Sequence, residues 1–376
     1  MNTFTKTQVR LFASARSWIE GEAVRQLYAV AGLDGVRIAA GFPDLQPGKG
    51  TPVGAAFVTE RVVYPHLIGG DIGCGMTLFK VDLVRSDVQL DRWARLPFNL
   101  EHMWEGSVGD VLADHDLLPS EFDASIGTVG AGNHFAELQA VEQVYDARGF
   151  KAFGLGKRQL VALVHSGSRG LGEKVLENHV VLYGSQGTPV DSFAAEEYLA
   201  GHDEAVRWAK ANREVIARRL LSTIGVSAET LWDGCHNSIE RVETTLGPLW
   251  AHRKGAVSTR GRFVVLAGSR GSLSYLLKPT SNGPTHAWSI AHGAGRKWSR
   301  SEARLRIRER FDASHLERTA LGGRVVCEER DLLYEEAPAA YKDVEAVVGD
   351  LVDAGLVSVV ATFRPLLTYK TRKRVR

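Results

Sequence analysis

His66-Leu-Ile-Gly-Gly-Asp-Ile-Gly-Cys-Gly-Met-Thr-Leu78 sets one carboxylate, Asp71, and one thiol, Cys74, among four glycines. A glycine-rich run between apolar runs reads as strand–loop–strand, not as helix. The glycines permit positive φ and a tight fold. Such a fold turns a carboxylate and a thiol three residues apart toward one point. Both are metal-ligand types, the thiolate being the softer. A plainer reading stands beside it. The aspartate of a tight turn caps its own backbone, and the cysteine packs as a small hydrophobe.

Three further loops weigh against the plain reading: Gly127-Thr-Val-Gly-Ala-Gly-Asn-His-Phe-Ala-Glu137, His165-Ser-Gly-Ser-Arg-Gly-Leu-Gly172 and His292-Gly-Ala-Gly-Arg-Lys-Trp-Ser-Arg300. Each pairs a histidine with small residues, and two add an arginine. Asp233-Gly-Cys-His-Asn-Ser238 supplies another histidine of the same kind. Packing alone does not account for so many such loops in one chain.

The chain has 376 residues and no visible internal linker, so we expect one large domain over 1–376, ending in a basic tail at 371–376. A hydrophobic content of 44% is ample for a core. Three cysteines, Cys74, Cys235 and Cys327, cannot form a disulfide framework. The first residues hold no apolar signal core, and no apolar run approaches a membrane span, so a reducing cytoplasm without membrane attachment is expected. A net charge of +2 argues against a general polyanion-binding coat. Any contact with nucleic acid must then come from a local basic patch.

Helical periodicity is clear over 18–31, and the Ala/Glu/Arg/Leu composition of 192–223 is strongly helical. Short strands are expected at 36–40, 53–57, 61–64, 76–84, 160–164, 263–266 and 357–361, with 85–125 mostly helical. Gly41-Phe-Pro-Asp-Leu-Gln-Pro-Gly-Lys-Gly50 reads as a shaped loop carrying Asp44 and Lys49. Ala267-Gly-Ser-Arg-Gly-Ser272 reads as a backbone and hydroxyl cradle for a phosphate or a polar ring. The distal arginines of the run after His292, Arg304 and Arg308, read as a solvated helix face, whereas Arg296 and Arg300 adjoin the histidine loop.

Asp71, Cys74, His134, His165 and His236 are five candidate ligands, too many for one open site with three protein ligands. They suit two ions sharing a bridging thiolate, and softness alone favours zinc. His292 stands apart as a candidate nucleophile toward phosphorus. Arginines beside it would hold phosphate oxygens.

These residues carry a resemblance. Asp71-Ile-Gly-Cys-Gly-Met76, Gly132-Asn-His-Phe135 with Glu137, His165-Ser-Gly-Ser-Arg-Gly170, Cys235-His-Asn237, Ala267 to Ser272, His292-Gly-Ala-Gly-Arg296 and Glu336-Ala-Pro-Ala-Ala-Tyr-Lys-Asp343 are colinear with the motifs of the RtcB family of RNA ligases. The likeness runs from about residue 36 to 370. Trp18-Ile-Glu20 and the short chain resemble the branch coupled to a release-factor-like protein.

The resemblance implies an α+β fold in one large domain of mixed β-sheets and flanking helices, with its active site in a cleft built from glycine-rich loops. It implies a ligase that uses GTP and two Mn2+ ions to join an RNA 3'-phosphate or 2',3'-cyclic phosphate to a 5'-hydroxyl, as in RNA repair or tRNA splicing. Its substrates would be tRNA halves or nicked rRNA, and a release-factor-like protein its possible partner. Manganese, so implied, overrules the zinc that softness favours.

Carried over by position, Cys74 bridges two metals, Asp71 and His134 complete one site, and His165 and His236 the other. His292 takes up GMP, with Asp44 and Arg169 serving catalysis. Asn133, Glu137, Ser269, Ser272, Gly293, Ala294, Gly295, Arg296 and Lys370 hold the nucleotide. One departure matters: the family loop usually ends Pro-Asp-Val/Leu-His, and here Gln46 stands in the last place. Two rivals remain, a metal-dependent cyclic phosphodiesterase and a protein that only binds RNA ends.

Overall fold

Leu160-Val-Ala-Leu-Val164 is apolar at every position because both faces of its strand, Gln159–Ser166, are covered. Leu160, Ala162 and Val164 join Ile216, Ala217 and Leu220 of the long helix Phe193–Ile224. Val161 and Leu163, turned the other way by the period-2 pleat, pack with Leu276 and Phe363. The computed structural model describes Thr7 to Arg372 apart from Leu246; the remainder of the basic tail lies outside the described residues.

Among the described residues, this strand lies inside an eight-stranded sheet. Seven strands follow in the order Val264–Leu266, Ser274–Pro279, Val357–Thr371, Phe135–Val144, Gln159–Ser166, Gly75–Val84 and Ala228–Cys235, all antiparallel to their neighbours. Arg324–Cys327 adds a parallel pairing to Val357–Thr371. A second sheet has the order Gln8–Leu11, Val36–Gln46, Val53–Thr59, Gly247–Lys254, Asn237–Thr244. One core cluster joins the two sheets, with Ile38, Phe42 and Val58 meeting Val264, Leu277 and Leu351. Each such side chain, when fully buried, contributes about 1.5–3 kcal/mol. The architecture is α+β.

The long helix has clear ends. Ser192 accepts from the Ala195 amide at 3.3 Å, and Gly225 closes the helix in the left-handed region. No helix among the described residues is long and apolar enough to cross a membrane.

Several expectations need correction. Residues 41–50 are not wholly loop, because Val36–Gln46 continues as a strand that buries Phe42 and Leu45. Its pairing with Val53–Thr59 jumps between Gly41 and Gln46, where Pro43 has no N–H to offer. Within 85–125 the α-helices are only Leu90–Trp93 and Val108–Asp114, in a segment that Pro97, Gly106 and Pro119 interrupt. Among the elements in segments without a sequence expectation are the strand Phe135–Val144, the helix Gly170–Tyr183, the strand Ala228–Cys235, and the hairpin of Asn237–Thr244 with Gly247–Lys254.

Candidate active site and metal centre

Antiparallel pairing places the start of one strand beside the end of the next, and the candidate ligands occupy such positions. Cys74 immediately precedes Gly75–Val84, His134 precedes Phe135–Val144, His165 is next to last in Gln159–Ser166, and His236 follows Ala228–Cys235. The register sets Met76 and Phe135 opposite His165, and Gly75 opposite Cys235. Four side chains separated by up to 162 positions thus meet at one edge of one sheet.

Cys74 Sγ lies 3.3 Å from His134 Nε2 and 3.4 Å from His165 Nε2. His165 Nε2 is 3.3 Å from His236 Nε2, and His134 Nε2 is 3.2 Å from Asp71 Oδ2. The donors fall into two groups that share the thiol, Cys74 with His165 and His236, and Cys74 with Asp71 and His134. Within each group the ligand atoms lie inside 4.8 Å of one another. All but Asp71 are buried. His134 Nδ1 donates to the Val129 carbonyl at 3.1 Å, which leaves Nε2 with its lone pair.

Burial, and then the adjacent Asp71 carboxylate, pushes the Cys74 thiol well up. Burial and the neighbouring imidazoles push His165 and His236 well down. A thiol and three imidazoles at such separations hold more lone pairs than protons to share among them. A pair of divalent cations would satisfy the whole set, so the residues present fit a metal centre of the kind the resemblance implies.

His292 follows the short strand Ser289–Ala291, and its ring lies 4.6 Å, centroid to centroid, from that of His236. Its Nδ1–H donates to Asp44 Oδ2 at 2.7 Å, and its backbone N–H reaches the same oxygen at 3.3 Å. Asp44 is fully buried, and its Oδ1 has no partner. This arrangement fixes the imidazole tautomer and leaves Nε2 with its lone pair. Gly295 is required here. Its φ is +71°, and a Cβ would meet the Asp44 carbonyl oxygen at 2.5 Å. Lys342 Nζ donates to the carbonyls of Pro43 at 3.0 Å and Leu45 at 2.6 Å, on either side of Asp44.

A cavity of about 670 Å³ opens over this edge, bordered by Asp71, Cys74, His165, His236 and His292. Asn133, Glu137, Ser269, Gly293, Ala294, Gly295, Arg296 and Lys370 border it elsewhere. Burial pushes the Glu137 carboxyl up to about 7, although Thr368 and Gln139 donate to it. Burial also lowers the Lys370 ammonium to about 8; its Nζ donates to Gly132 O at 2.8 Å and lies 3.7 Å from Glu336.

Arg296 pairs with Glu336 at 2.8 Å and stands 5.2 Å over the Tyr341 ring. Gln46 borders the cavity, and its Oε1 accepts from the Arg296 amide at 2.7 Å. Four candidates are not part of this lining, among them Asp44, which holds His292, and His134, which lies beside Cys74. Ser272 closes the turn by accepting from the Ser269 amide at 2.7 Å, and Arg169 borders a separate cavity of about 380 Å³ beside Glu101 and Phe122.

A sequence model of a family described as RtcB, tRNA-splicing ligase RtcB, matches residues 26–123 and 113–371. The chain belongs to the RtcB family. A relative from Escherichia coli called RNA-splicing ligase RtcB2 is 41% identical, over 95% of this chain and 94% of its own length. The tRNA-splicing ligase RtcB of Archaeoglobus fulgidus is 30% identical, over 93% of this chain and 91% of its own. The RNA-splicing ligase RtcB of Mycobacterium tuberculosis is 30% identical, over 91% and 99%.

Sequence reasoning on this RtcB chain missed several residues at the site, among them the following four. Lys254, Glu336 and Tyr341 line the cavity, and Lys342 braces the loop below it. The last three lie in the quoted Glu336–Asp343 motif, which was the available signal; Lys254 sits in a segment without one.

Proposed function

We propose that this chain is a GTP- and Mn2+-dependent RNA ligase working through a guanylylated His292. The observation that carries the reading is His292, its Nδ1 bound to the buried Asp44 and its Nε2 left with a lone pair beside the Cys74-centred ligand set. Simple hydrolysis of a cyclic phosphate needs no such held nucleophile. The relatives named as RNA-splicing ligases support the same class of reaction.

His292 Nε2 attacks the α-phosphorus of GTP; a P–N bond forms and the P–O bond to pyrophosphate breaks. An oxygen of the RNA 3'-phosphate, after water has opened any cyclic phosphate, then displaces the imidazole and takes over the GMP. The 5'-hydroxyl of the second RNA attacks the 3'-phosphorus, forms the phosphodiester and releases GMP. Asp44 holds the imidazole and stabilises charge on it. Bound at Asp71, His134, Cys74, His165 and His236, two Mn2+ ions would polarise the phosphates and offset charge on the leaving groups. Lys370 and Arg296 offer positive charge along the nucleotide path, and Glu137, Asn133 and the Ser269 turn offer polar contacts to the nucleoside. We take RNA with broken ends, tRNA halves or nicked rRNA, as the substrate, the whole chain as one catalytic unit, and a release-factor-like protein as its partner; these rest on the resemblance.

Incubation with α-labelled GTP and Mn2+, followed by denaturing electrophoresis, tests the reading. The expected result is an acid-labile labelled band that His292→Ala abolishes. An unlabelled protein, folded and loaded with manganese, overturns it.

A further inference from the structure

Two arginines of the fold, Arg213 and Arg253, are buried to 2% exposure or less. A buried guanidinium is costly unless every donor is used, and well-packed apolar groups often serve stability as well. Where the donors point therefore says what each arginine is for. Arg253 pairs with Glu240 at 2.6 Å and donates to Ser289 Oγ at 2.8 Å, within the second sheet and its border.

Arg213, on the long helix, reaches the backbone that carries the ligands. Its Nη1 donates to Gly73 O at 2.9 Å and to Ser166 O at 3.0 Å, the carbonyls next to Cys74 and His165. Its Nε and Nη2 hold Asp233 at 2.8–3.0 Å, three residues before His236 on the same strand end. Thr77 Oγ1 accepts from Nε at 2.8 Å and donates to Asp233. The loops are also laced to each other, with the His236 amide donating to Cys74 O at 2.8 Å and the Gly73 amide to Asn237 O at 2.9 Å.

We infer that Arg213 is the positioning residue of the Cys74–His165–His236 metal group. One planar fork holds the backbone beside Cys74 and His165 and the Asp233 side chain three residues before His236, so the three donor atoms stay converged before any ion arrives. The charge is retained because five fixed donors in one plane can span three loops, which neither an apolar side chain nor a lysine does. The inference rests on the metal reading of this site.

Titration of the chelator-treated full-length protein with Mn2+, following free Mn2+ by electron paramagnetic resonance, tests it. Arg213→Lys keeps the charge and loses the fork. We expect one binding step to weaken about 10–100-fold, the range for groups that orient metal ligands. Arg253→Lys is the control: it lowers the apo unfolding temperature and leaves both steps within threefold of wild type. Should Arg213→Lys not fold, Thr77→Val decides, with a loss of at least about fivefold expected when both hydrogen bonds of the Thr77 hydroxyl leave the brace. Wild-type affinity in Arg213→Lys, or in Thr77→Val where that variant decides, overturns the inference, as does an equal loss in Arg253→Lys. A wild-type protein that binds no Mn2+ overturns the metal reading instead, so the two failures are distinct.

Discussion

Two sets of buried histidines make opposite use of their ring nitrogens. In the second sheet and around the long helix, each nitrogen ends on a fixed partner. His252 Nε2 accepts from the Tyr64 amide at 2.9 Å, while its Nδ1 donates to Trp250 O at 3.1 Å. His202 Nε2 accepts from the Ile239 amide at 2.9 Å, and its Nδ1 donates to Asp203 at 2.8 Å. At the edge of the first sheet, the Nε2 atoms of His134, His165 and His236 instead face a thiol, a carboxylate or one another. Both sets are equally well buried, so burial does not separate a ligand from a structural histidine. The identity of the partner does. A backbone amide completes a ring nitrogen, whereas a second lone pair leaves it waiting for a cation.

The largest test of this contrast exchanges the two kinds. His165→Ala should lose at least about a hundredfold in Mn2+ affinity and all detectable guanylylation, with little loss of apo stability, because it removes a nitrogen that pairs with no fixed donor. His252→Ala should do the reverse. It leaves the Tyr64 amide buried and unpaired, at a cost of about 1–3 kcal/mol in urea unfolding, with metal affinity unchanged. If the two variants behave alike in both measurements, the distinction by partner fails.

A smaller effect sharpens the case of His292, which combines the two uses: one nitrogen fixed, the other open. Asp44→Asn keeps the shape but withdraws the carboxylate that selects the tautomer. Labelled-GMP transfer to His292 should slow by about 10²–10⁴-fold, with Mn2+ affinity unchanged. Equal loss of both would mean that Asp44 serves the metals rather than the nucleophile.

The sequence made the ligand set legible because its residues sit in short glycine-bordered loops at the ends of apolar runs. His165 after Leu160–Val164 is the clearest case. Pairings across long separations were not legible. Asp44 and His292 lie 248 positions apart, and nothing local in either loop names the other. Arg213 is concealed for a different reason. In an Ala/Glu/Arg/Leu helix an arginine reads as solvated, and only the packing of that helix against the eight-stranded sheet turns it inward. The strand Phe135–Val144 escaped because Glu137, Gln139, Glu142 and Gln143 break its apolar character. Glu137 and Gln139 are nonetheless buried, hydrogen-bonded to each other at 2.6 Å.

The smallest predicted effect uses pH to weigh a completed histidine. Burial lowers the His252 imidazole to about 3, against about 6.5 in an unfolded chain. Between these values the unfolded chain binds a proton that the folded protein refuses, so stability contributed by neutral His252 is present above about pH 6.5 and lost as the pH falls toward 3. From pH 8 to pH 5 that loss amounts to about 2 kcal/mol. His252→Gln keeps an acceptor for the Tyr64 amide and cannot titrate. Urea unfolding of the metal-free protein at several pH values should show the wild type losing about 2 kcal/mol more than His252→Gln over that interval. Parallel curves would mean that the Tyr64 amide does not hold His252 neutral, and the backbone-partner half of the contrast would then have to be given up.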